Sequence, residues 1–126
     1  MDVLSRMVRA GAPGGAVLDL QVIRPGPRVE VDGRVLCALG GETLLARADA
    51  ATAAVDARIE AGDLVEEAVD DHDVLRHHRD GPSLLEHWSE KERRVPPACA
   101  ARLQTLARPC VVRERCRLRR LRIRVR

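Results

Sequence analysis

The sequence predicts an α/β domain, in which helices pack on a small mixed sheet of four or five strands. Three patterns support this fold class. An apolar run over residues 16–23 follows a Pro-Gly-Gly turn, as in a buried strand of an α/β sheet. A helical pattern over residues 42–61 leads into a second apolar run at 64–69. The last segment, 110–126, alternates apolar and charged residues, which predicts a strand with one buried face.

The first apolar run is expected to be the central strand of the sheet. Only Asp19 and Gln21 are polar within it, so we expect both of its faces to be covered. A helix is predicted before it, because apolar residues recur at helical spacing behind Asp2, a residue type that caps helices. These apolar residues are Val3, Leu4, Met7 and Val8.

The middle of the chain predicts a β-hairpin and a crossover helix. Asp32-Gly33 lies between alternating apolar residues, which is a strong signal for a hairpin at about 28–39. The helix at 42–61 could also begin as late as Ala48. Strand, crossover helix and strand form the unit that yields parallel pairing, and the hairpin is an insertion in that unit.

The second half of the chain predicts a loop, two helices and the last strand. Residues 70–80 are polar and histidine-rich, and we expect them to form the loop. Short helices at 83–93 and 98–107 make up a helical insertion at about 82–108. The last strand is expected at or near a sheet edge, with a β-bulge where Arg119-Arg120 shifts its alternation. A helical alternative for this strand is disfavoured by its β-branched residues.

Length and composition predict one domain that spans residues 1–126. Its core must consist mostly of Leu, Val, Ile and Ala, because the chain has one Trp and no Phe or Tyr. The longest apolar run is too short for a transmembrane helix, and no secretory signal is recognised. We therefore expect a cytoplasmic protein with four reduced cysteines, which are Cys37, Cys99, Cys110 and Cys116.

The formal net charge of +3 is divided between two blocks of opposite sign. Acidic residues dominate 56–73, and eight arginines stand in 113–126: Arg113, Arg115, Arg117, Arg119, Arg120, Arg122, Arg124 and Arg126. The arginines could contact the phosphates of a nucleic acid, or an acidic partner. Alternatively, they form the solvated face of a strand and pair with Glu66, Glu67 and Asp70. The second role is favoured, because the chain offers almost no aromatic side chains for stacking on bases.

A Pro-Gly-Gly turn joins a helical pattern to a strand in Leu4-Ser5-Arg6-Met7-Val8-Arg9 and Ala12-Pro13-Gly14-Gly15-Ala16-Val17-Leu18-Asp19-Leu20. Together with 49–69 and 109–126, this passage resembles the second half of a class I S-adenosylmethionine-dependent methyltransferase. In that family such a turn leads into the fifth strand, and a crossover helix, a sixth strand and an antiparallel seventh strand follow. The resemblance implies a Rossmann-like arrangement in which the last strand of this chain is antiparallel.

The cofactor site of that family lies in its first half, and its glycine-rich loop and acidic residue are not found here. Pro13-Gly14-Gly15 precedes a strand, so it does not serve as that loop. The chain therefore looks like a C-terminal fragment, a truncated relative, or a half that needs a partner. The resemblance implies that S-adenosylmethionine binds only when a complementary N-terminal half is present. The strand at 16–23 would then expose an apolar edge that favours dimerisation.

Side chains that could bind a metal or act as nucleophiles occur in two groups. Asp70-Asp71-His72-Asp73, His77 and His78 carry the ligand types of Zn²⁺ or Mn²⁺, but their spacing matches no established zinc pattern, so no metal site is predicted. Cys99, Cys110 and Cys116 lie on apolar stripes, where we expect small core residues. No catalytic residue is assigned, and whether the chain is an enzyme stays open.

Three hypotheses about function follow from these patterns. The first is a truncated or divergent class I methyltransferase-like protein that is not catalytic alone, with a complementary half or a second copy as partner. The second is a non-enzymatic binding module that uses the arginine-rich strand to contact nucleic acid or an acidic partner. The third is a reading frame not under selection for folding. The agreement between amphipathic segments and turn residues favours the first two.

Overall fold

A computed structural model describes residues 14–90 and 94–124 of the chain. The strands of this part are β1 (Ala16–Val22), β2 (Arg28–Val31), β3 (Arg34–Ala38), β4 (Leu64–His78) and β5 (Cys110–Ile123). The helices are α1 (Glu42–Glu60), α2 (Gly81–Glu90) and α3 (Pro97–Gln104). The helix predicted before the first strand lies outside the described residues. Among the described helices, none is long and apolar enough to span a membrane.

The five described strands form one sheet in which every hydrogen-bonded pair is antiparallel. The long strand β5 is at its centre, and β4 pairs with it along its whole length. On the other side, β1 pairs with residues 116–122 and β2 with residues 111–113, so these two strands follow each other end to end. The outermost strand beyond β2 is β3.

This topology corrects three predictions. The first apolar run, β1, is not central, because within the described residues it has a neighbouring strand only on its β5 side. The last strand is central rather than close to an edge. The sheet is antiparallel rather than mixed, since β1 and β4 run in the same direction but β5 separates them.

The extent of β4 corrects a fourth prediction. Residues 70–78 belong to this 15-residue strand and not to a loop. Asp71 and Asp73 lie opposite Arg117 and Arg115 of β5, so cross-strand ion pairs replace the apolar contacts that usually reveal a strand. The irregularity predicted at Arg119-Arg120 lies instead on β4, between Glu66 and Ala68.

Several local predictions are confirmed. β2 and β3 form the predicted hairpin, and its Asp32-Gly33 turn has positive φ at both residues, as hairpin turns with this sequence require. α1 begins at Glu42, so the alternative start at Ala48 is wrong. α2 and α3 lie where the helical insertion was expected.

Helices cover the two ends of the sheet on opposite faces. The first core lies between the sheet and α2 and α3, and consists of Val29, Leu39, Leu84, Trp88, Cys99, Leu103, Cys110 and Val112. The second core lies under α1 and consists of Val17, Val55, Leu64, Leu121 and Ile123. Alternation along β5 sends its even-numbered side chains to the first face and its odd-numbered side chains to the second. The two cores formed by the described helices therefore lie at opposite ends of β5.

The expectation of four reduced cysteines is wrong for two of them. A disulfide joins Cys37 of β3 to Cys99 of α3, beside the first core. Cys110 and Cys116 are free and buried, and burial raises the pKa of both thiols. This contact could not be predicted from the sequence, because Cys37 and Cys99 are 62 residues apart in the chain. Only the packing of α3 on β3 brings them together.

Candidate functional site

The first open surface is the arginine face, which consists of Arg113, Arg115, Arg117 and Arg119 on the odd-numbered face of β5. The alternation of this strand places all four guanidinium groups on one side of the sheet. On β4, Asp71 and Asp73 stand opposite Arg117 and Arg115 on the same face. The result is a row of positive charges beside a row of negative charges.

Each arginine of this row is hydrogen-bonded to a carboxylate. Arg117 donates to both oxygens of Asp71, from Nε at 2.8 Å and from Nη2 at 3.0 Å. Asp73 accepts from Arg113 at 2.7 Å and from Arg115 at 3.2 Å. The hydrogen bond from Arg117 lowers the pKa of Asp71, and those from Arg113 and Arg115 lower the pKa of Asp73. These two aspartates are therefore fully ionised at neutral pH.

Arg113 and Arg119 extend this pairing to other elements. Arg113 Nε donates to Glu30 of β2 at 2.7 Å, which connects the hairpin to β5. The Arg119 side chain is only 7% exposed and is 2.8 Å from Asp56 of α1 and 2.7 Å from Glu66 of β4. Burial by itself lowers the pKa of Arg119, but the hydrogen bonds to the two carboxylates outweigh it and hold the pKa above its ordinary value.

The eight predicted arginines do not form one surface. Arg120 and Arg122 lie on the opposite face from the arginine face, and each is 3.6 Å from an oxygen of Glu67. Arg124 follows the end of β5 and is exposed, whereas Arg126 lies outside the described residues. The predicted pairing with Glu66 and Glu67 is confirmed, but Asp70 lies 3.0 Å from His72 instead.

The second open surface is the leucine face, defined as Leu18 and Leu20 of β1 with Leu118 of β5. Leu20 stands directly opposite Leu118, and Leu18 opposite Arg120. Leu18 is 67% exposed and Leu20 59% exposed, although both were expected to be buried in a central strand. They are on the face that α2 and α3 cover, but these helices lie over the other end of β5.

The outer edge of β1 adds free backbone groups to the leucine face. Ile23 N donates to Arg115 O, and Val22 pairs next to it with Cys116. Because hydrogen-bonded and non-hydrogen-bonded pairs alternate in an antiparallel ladder, the amide and carbonyl groups of Leu18, Leu20 and Val22 point away from β5. Within residues 14–90 and 94–124, no strand pairs with them on that side.

The histidine and carboxylate segment does not converge on one point. Alternation along β4 puts His72 and His78 on one face, and Asp71, Asp73 and His77 on the other. In the described part of the chain, no group of three or more His, Cys, Asp or Glu side chains could hold a metal ion. His78 contacts His87 of α2 at a ring-centroid distance of 5.4 Å, and burial followed by the charge of His87 lowers the pKa of His78.

One juxtaposition resembles a nucleophilic site in composition. His72 stands opposite Cys116, and His72 Nδ1 is 3.0 Å from Asp70 Oδ2. A nucleophilic cysteine needs a lowered thiol pKa, whereas burial raises the pKa of Cys116. The thiol is therefore protonated at neutral pH, and this group has no catalytic role that its geometry supports.

A shallow cavity of about 400 Å³ lies at the hairpin end of the arginine face. Its lining includes Glu30, Leu75, His77, Cys110 and Arg113. Glu30 and Arg113 neutralise each other across it, and burial raises the pKa of the Cys110 thiol. Asp32, which also lines the cavity, is hydrogen-bonded to Arg108, and the Cys110 thiol is not an activated nucleophile.

Comparison with protein-family models, with curated proteins and with solved structures finds no match to this chain. The candidate site thus rests on the geometry of the two open faces. Sequence reasoning identified the arginines but missed the leucine face. The available signal was the polar pair Asp19 and Gln21, whose alternation with Leu18, Leu20 and Val22 is typical of a strand with two unlike faces.

Proposed function

We propose that this chain acts through protein association, as a non-catalytic module that another polypeptide completes along β1. The observation that carries this proposal is the leucine face beside an open strand edge. Leu18 and Leu20 are more than half exposed, and the neighbouring backbone groups of β1 have no partner strand in the described residues. Exposed edges with apolar side chains are surfaces that proteins normally cover.

Covering this surface contributes favourable binding energy. Full burial of one leucine contributes roughly 1.5–3 kcal/mol, and each 1.4 kcal/mol changes a dissociation constant about tenfold. Two leucines that are more than half exposed, together with the hydrogen bonds of an added strand, therefore favour association, against the cost of immobilising two chains.

The resemblance to the second half of a class I methyltransferase gives this proposal a specific form. β1, α1, β4 and β5 follow each other in the order that the resemblance implies, and β5 is antiparallel to both of its long neighbours. In this form the complementary half supplies the S-adenosylmethionine site. We expect no shift in the melting temperature of this chain alone at saturating S-adenosylmethionine. A stabilisation near the roughly 2.7 kcal/mol of a ligand at a hundred times its dissociation constant would contradict this expectation.

The arginine-rich strand supports a nucleic-acid function less well. A phosphate that approached Arg113 or Arg117 would have to displace carboxylates that already accept hydrogen bonds at 2.7–2.8 Å. The same argument applies to an acidic protein. Steep loss of RNA or DNA binding with rising salt, abolished by substitution of these arginines, would favour this alternative.

We keep the cytoplasm as the proposed location. The redox state of the two disulfide cysteines can test it. Cytosolic reductants keep most thiols reduced, so the bond between Cys37 and Cys99 weighs against this location. Alkylation of the protein in intact cells, followed by mass spectrometry, measures the state of both thiols. Free thiols would support the cytoplasm, and a bonded pair would support an oxidising compartment.

A photo-crosslinking experiment in cells tests the association itself. A photoreactive phenylalanine analogue replaces Leu18 in one variant and Val35 in the control, because Val35 of β3 is 60% exposed but lies outside the leucine face. We expect a protein adduct at position 18 and none at position 35. Equal adducts at both positions, or none at either, would contradict the proposed function.

A further inference from the structure

The exposed strand β1 has a sequence that is symmetric in polarity. Around Leu20, the neighbours Asp19 and Gln21 are both polar, the next pair Leu18 and Val22 are both apolar, and the following pair, Val17 and Ile23, are apolar as well. An antiparallel pair of identical strands centred on Leu20 therefore places every residue opposite one of its own kind.

We propose that the polypeptide completing β1 is a second copy of this chain, added antiparallel across a two-fold axis at Leu20. This inference rests on the proposed function, since it names a second copy, in place of a complementary half, as the partner of the same edge. In this register Leu20 faces Leu20, and Leu18 faces Val22 of the second copy. The two leucine faces then become one continuous apolar surface across a single extended sheet.

Backbone geometry is consistent with this register. The amide and carbonyl groups of Leu18, Leu20 and Val22 point outward, as inferred from the bond between Ile23 N and Arg115 O. Centring on Leu20 makes each of these residues a hydrogen-bonded member of the new pair of strands. The contact uses residues 17–23 and ends where Arg24-Pro25 breaks the strand.

The polar residues of β1 favour the same register. Gln21 Nε2 donates to Asp19 Oδ1 at 2.9 Å, and Asp19 Oδ2 is buried without a hydrogen-bond partner in the described residues. The side-chain amide of glutamine has two hydrogens to donate. With Leu20 on the axis, Gln21 of each copy stands opposite Asp19 of the other, so each amide, which has a second hydrogen to donate, lies on the same face of the new sheet as the carboxyl group opposite.

Neighbouring registers lack this complementarity. Centring on Asp19 brings two carboxylates directly opposite each other, which is destabilising. Centring on Leu18 places Asp19 against Val17 of the second copy, so a polar side chain faces an apolar one. β1 also contains no lysine or proline, which are common means of keeping an edge strand from pairing.

The expected dimer is weak, because one short strand from each copy forms the whole contact. Its buried area lies at or below the lower end of the roughly 1,200–2,000 Å² of standard interfaces. We therefore expect a dissociation constant of micromolar order or weaker. Sedimentation velocity of the purified protein, from micromolar to millimolar concentration, should show a monomer that becomes a dimer.

Cysteine crosslinking of the purified full chain tests the register. In the proposed dimer, the Cα atoms at position 20 of the two copies lie about 5.5 Å apart, which suits a disulfide. Those at position 18 are offset along the strands by four residues, or about 13 Å, which a disulfide cannot bridge. The variants are therefore Leu20→Cys, its matched control Leu18→Cys on the same face, and Val35→Cys on the hairpin.

Mild oxidation should produce a disulfide-linked dimer of the Leu20→Cys variant. The Leu18→Cys and Val35→Cys variants should not form such a dimer. Position 20 is 59% exposed, and circular dichroism melts that coincide with the wild type will verify the fold of each variant. Equal crosslinking of Leu18→Cys and Leu20→Cys would overturn the proposal, as would a wild-type chain that stays monomeric at millimolar concentration. If the dimer proposal fails in this way, a photoadduct between position 18 and a different protein would still support the proposed function. The absence of any photoadduct would contradict both the proposed function and the dimer.

Discussion

The two open faces of β5 differ in how their side chains are satisfied. On the arginine face, Arg113, Arg115 and Arg117 are exposed in part, but each already has a carboxylate partner on a neighbouring strand. On the leucine face, Leu18 and Leu20 are exposed and no described element covers them. A conspicuous row of charges is thus complete within the chain, whereas a short apolar strand is not. The unsatisfied surface, and not the most charged one, is the better guide to function.

The covered ends of the sheet and its open middle should differ most in their contribution to stability. Trp88 heads the fully buried side chains by volume, so Trp88→Ala should destabilise the protein by about 3–5 kcal/mol through lost packing and a cavity. Leu18→Ala is the control on the leucine face and should change stability by less than about 0.5 kcal/mol in the monomer. Urea unfolding followed by circular dichroism measures both. Similar losses for the two variants would contradict the contrast between covered and open regions.

Removal of the disulfide beside the first core should cause the next largest loss of stability. A crosslink that closes 62 residues stabilises by about 2–4 kcal/mol, chiefly by restricting the unfolded chain. We expect the double variant Cys37→Ala with Cys99→Ala to lose stability of this order. Reductant should destabilise the wild type by a similar amount and leave the double variant unchanged. If reductant does not change the melting temperature of the wild type, the disulfide between Cys37 and Cys99 is contradicted.

Within the arginine face, burial should separate Arg119 from its exposed neighbours. Replacing both of its partners, by Asp56→Asn with Glu66→Gln, leaves a buried guanidinium without a counter-charge and should cost about 1–3 kcal/mol. The lower part of the usual range for buried pairs applies, because Asp56 and Glu66 themselves reach solvent. Asp71→Asn is the control on the exposed part of the row and should have a smaller effect in the same unfolding assay.

The paired carboxylates should also give the arginine face a pH dependence that the leucine face lacks. The folded-state pKa values of Asp71 and Asp73 are lowered by hydrogen bonds from arginines. Their contribution is complete above the unfolded pKa of about 3.9 and is lost as the pH falls through the lower folded-state values. Melting temperature should therefore drop below about pH 4, and less steeply in Asp71→Asn with Asp73→Asn. If the melting temperature falls equally steeply with pH in the wild type and in the double variant, these ion pairs do not cause the pH dependence.

His78 should add a smaller step at higher pH. Burial and the nearby His87 lower its folded-state pKa, so the unfolded chain binds the proton more readily. Stability should decrease as the pH falls below the unfolded value of about 6.5 and level off once the folded histidine is also protonated. His78→Gln should remove this step, which a melt series between neutral pH and pH 5 would detect. If the loss of stability between neutral pH and pH 5 persists in His78→Gln, a group other than His78 causes it.

Local features of this chain were largely predictable from sequence. Asp32-Gly33 predicted the hairpin because few residue pairs adopt positive φ, and the 3.6-residue period predicted α1. The alternation of 110–119 correctly separated Arg113, Arg115 and Arg117 from Cys110 and Cys116 on β5. β4 was mistaken for a loop beyond Val69, because its stabilising partners are charges on a strand some forty residues away in sequence.

The sequence by itself determined most of the regular segments and the alternation of side chains along β5, since both depend on local periodicity and turn chemistry. Tertiary structure alone decided which strands are neighbours. The insertion of β5 between β1 and β4 made an expected edge strand central and put an expected central strand at the edge of the described sheet. The same pairing neutralised the arginines and left Leu18 and Leu20 exposed, because hydrogen bonds between distant strands, and not the pattern within each, assign the partners of every side chain.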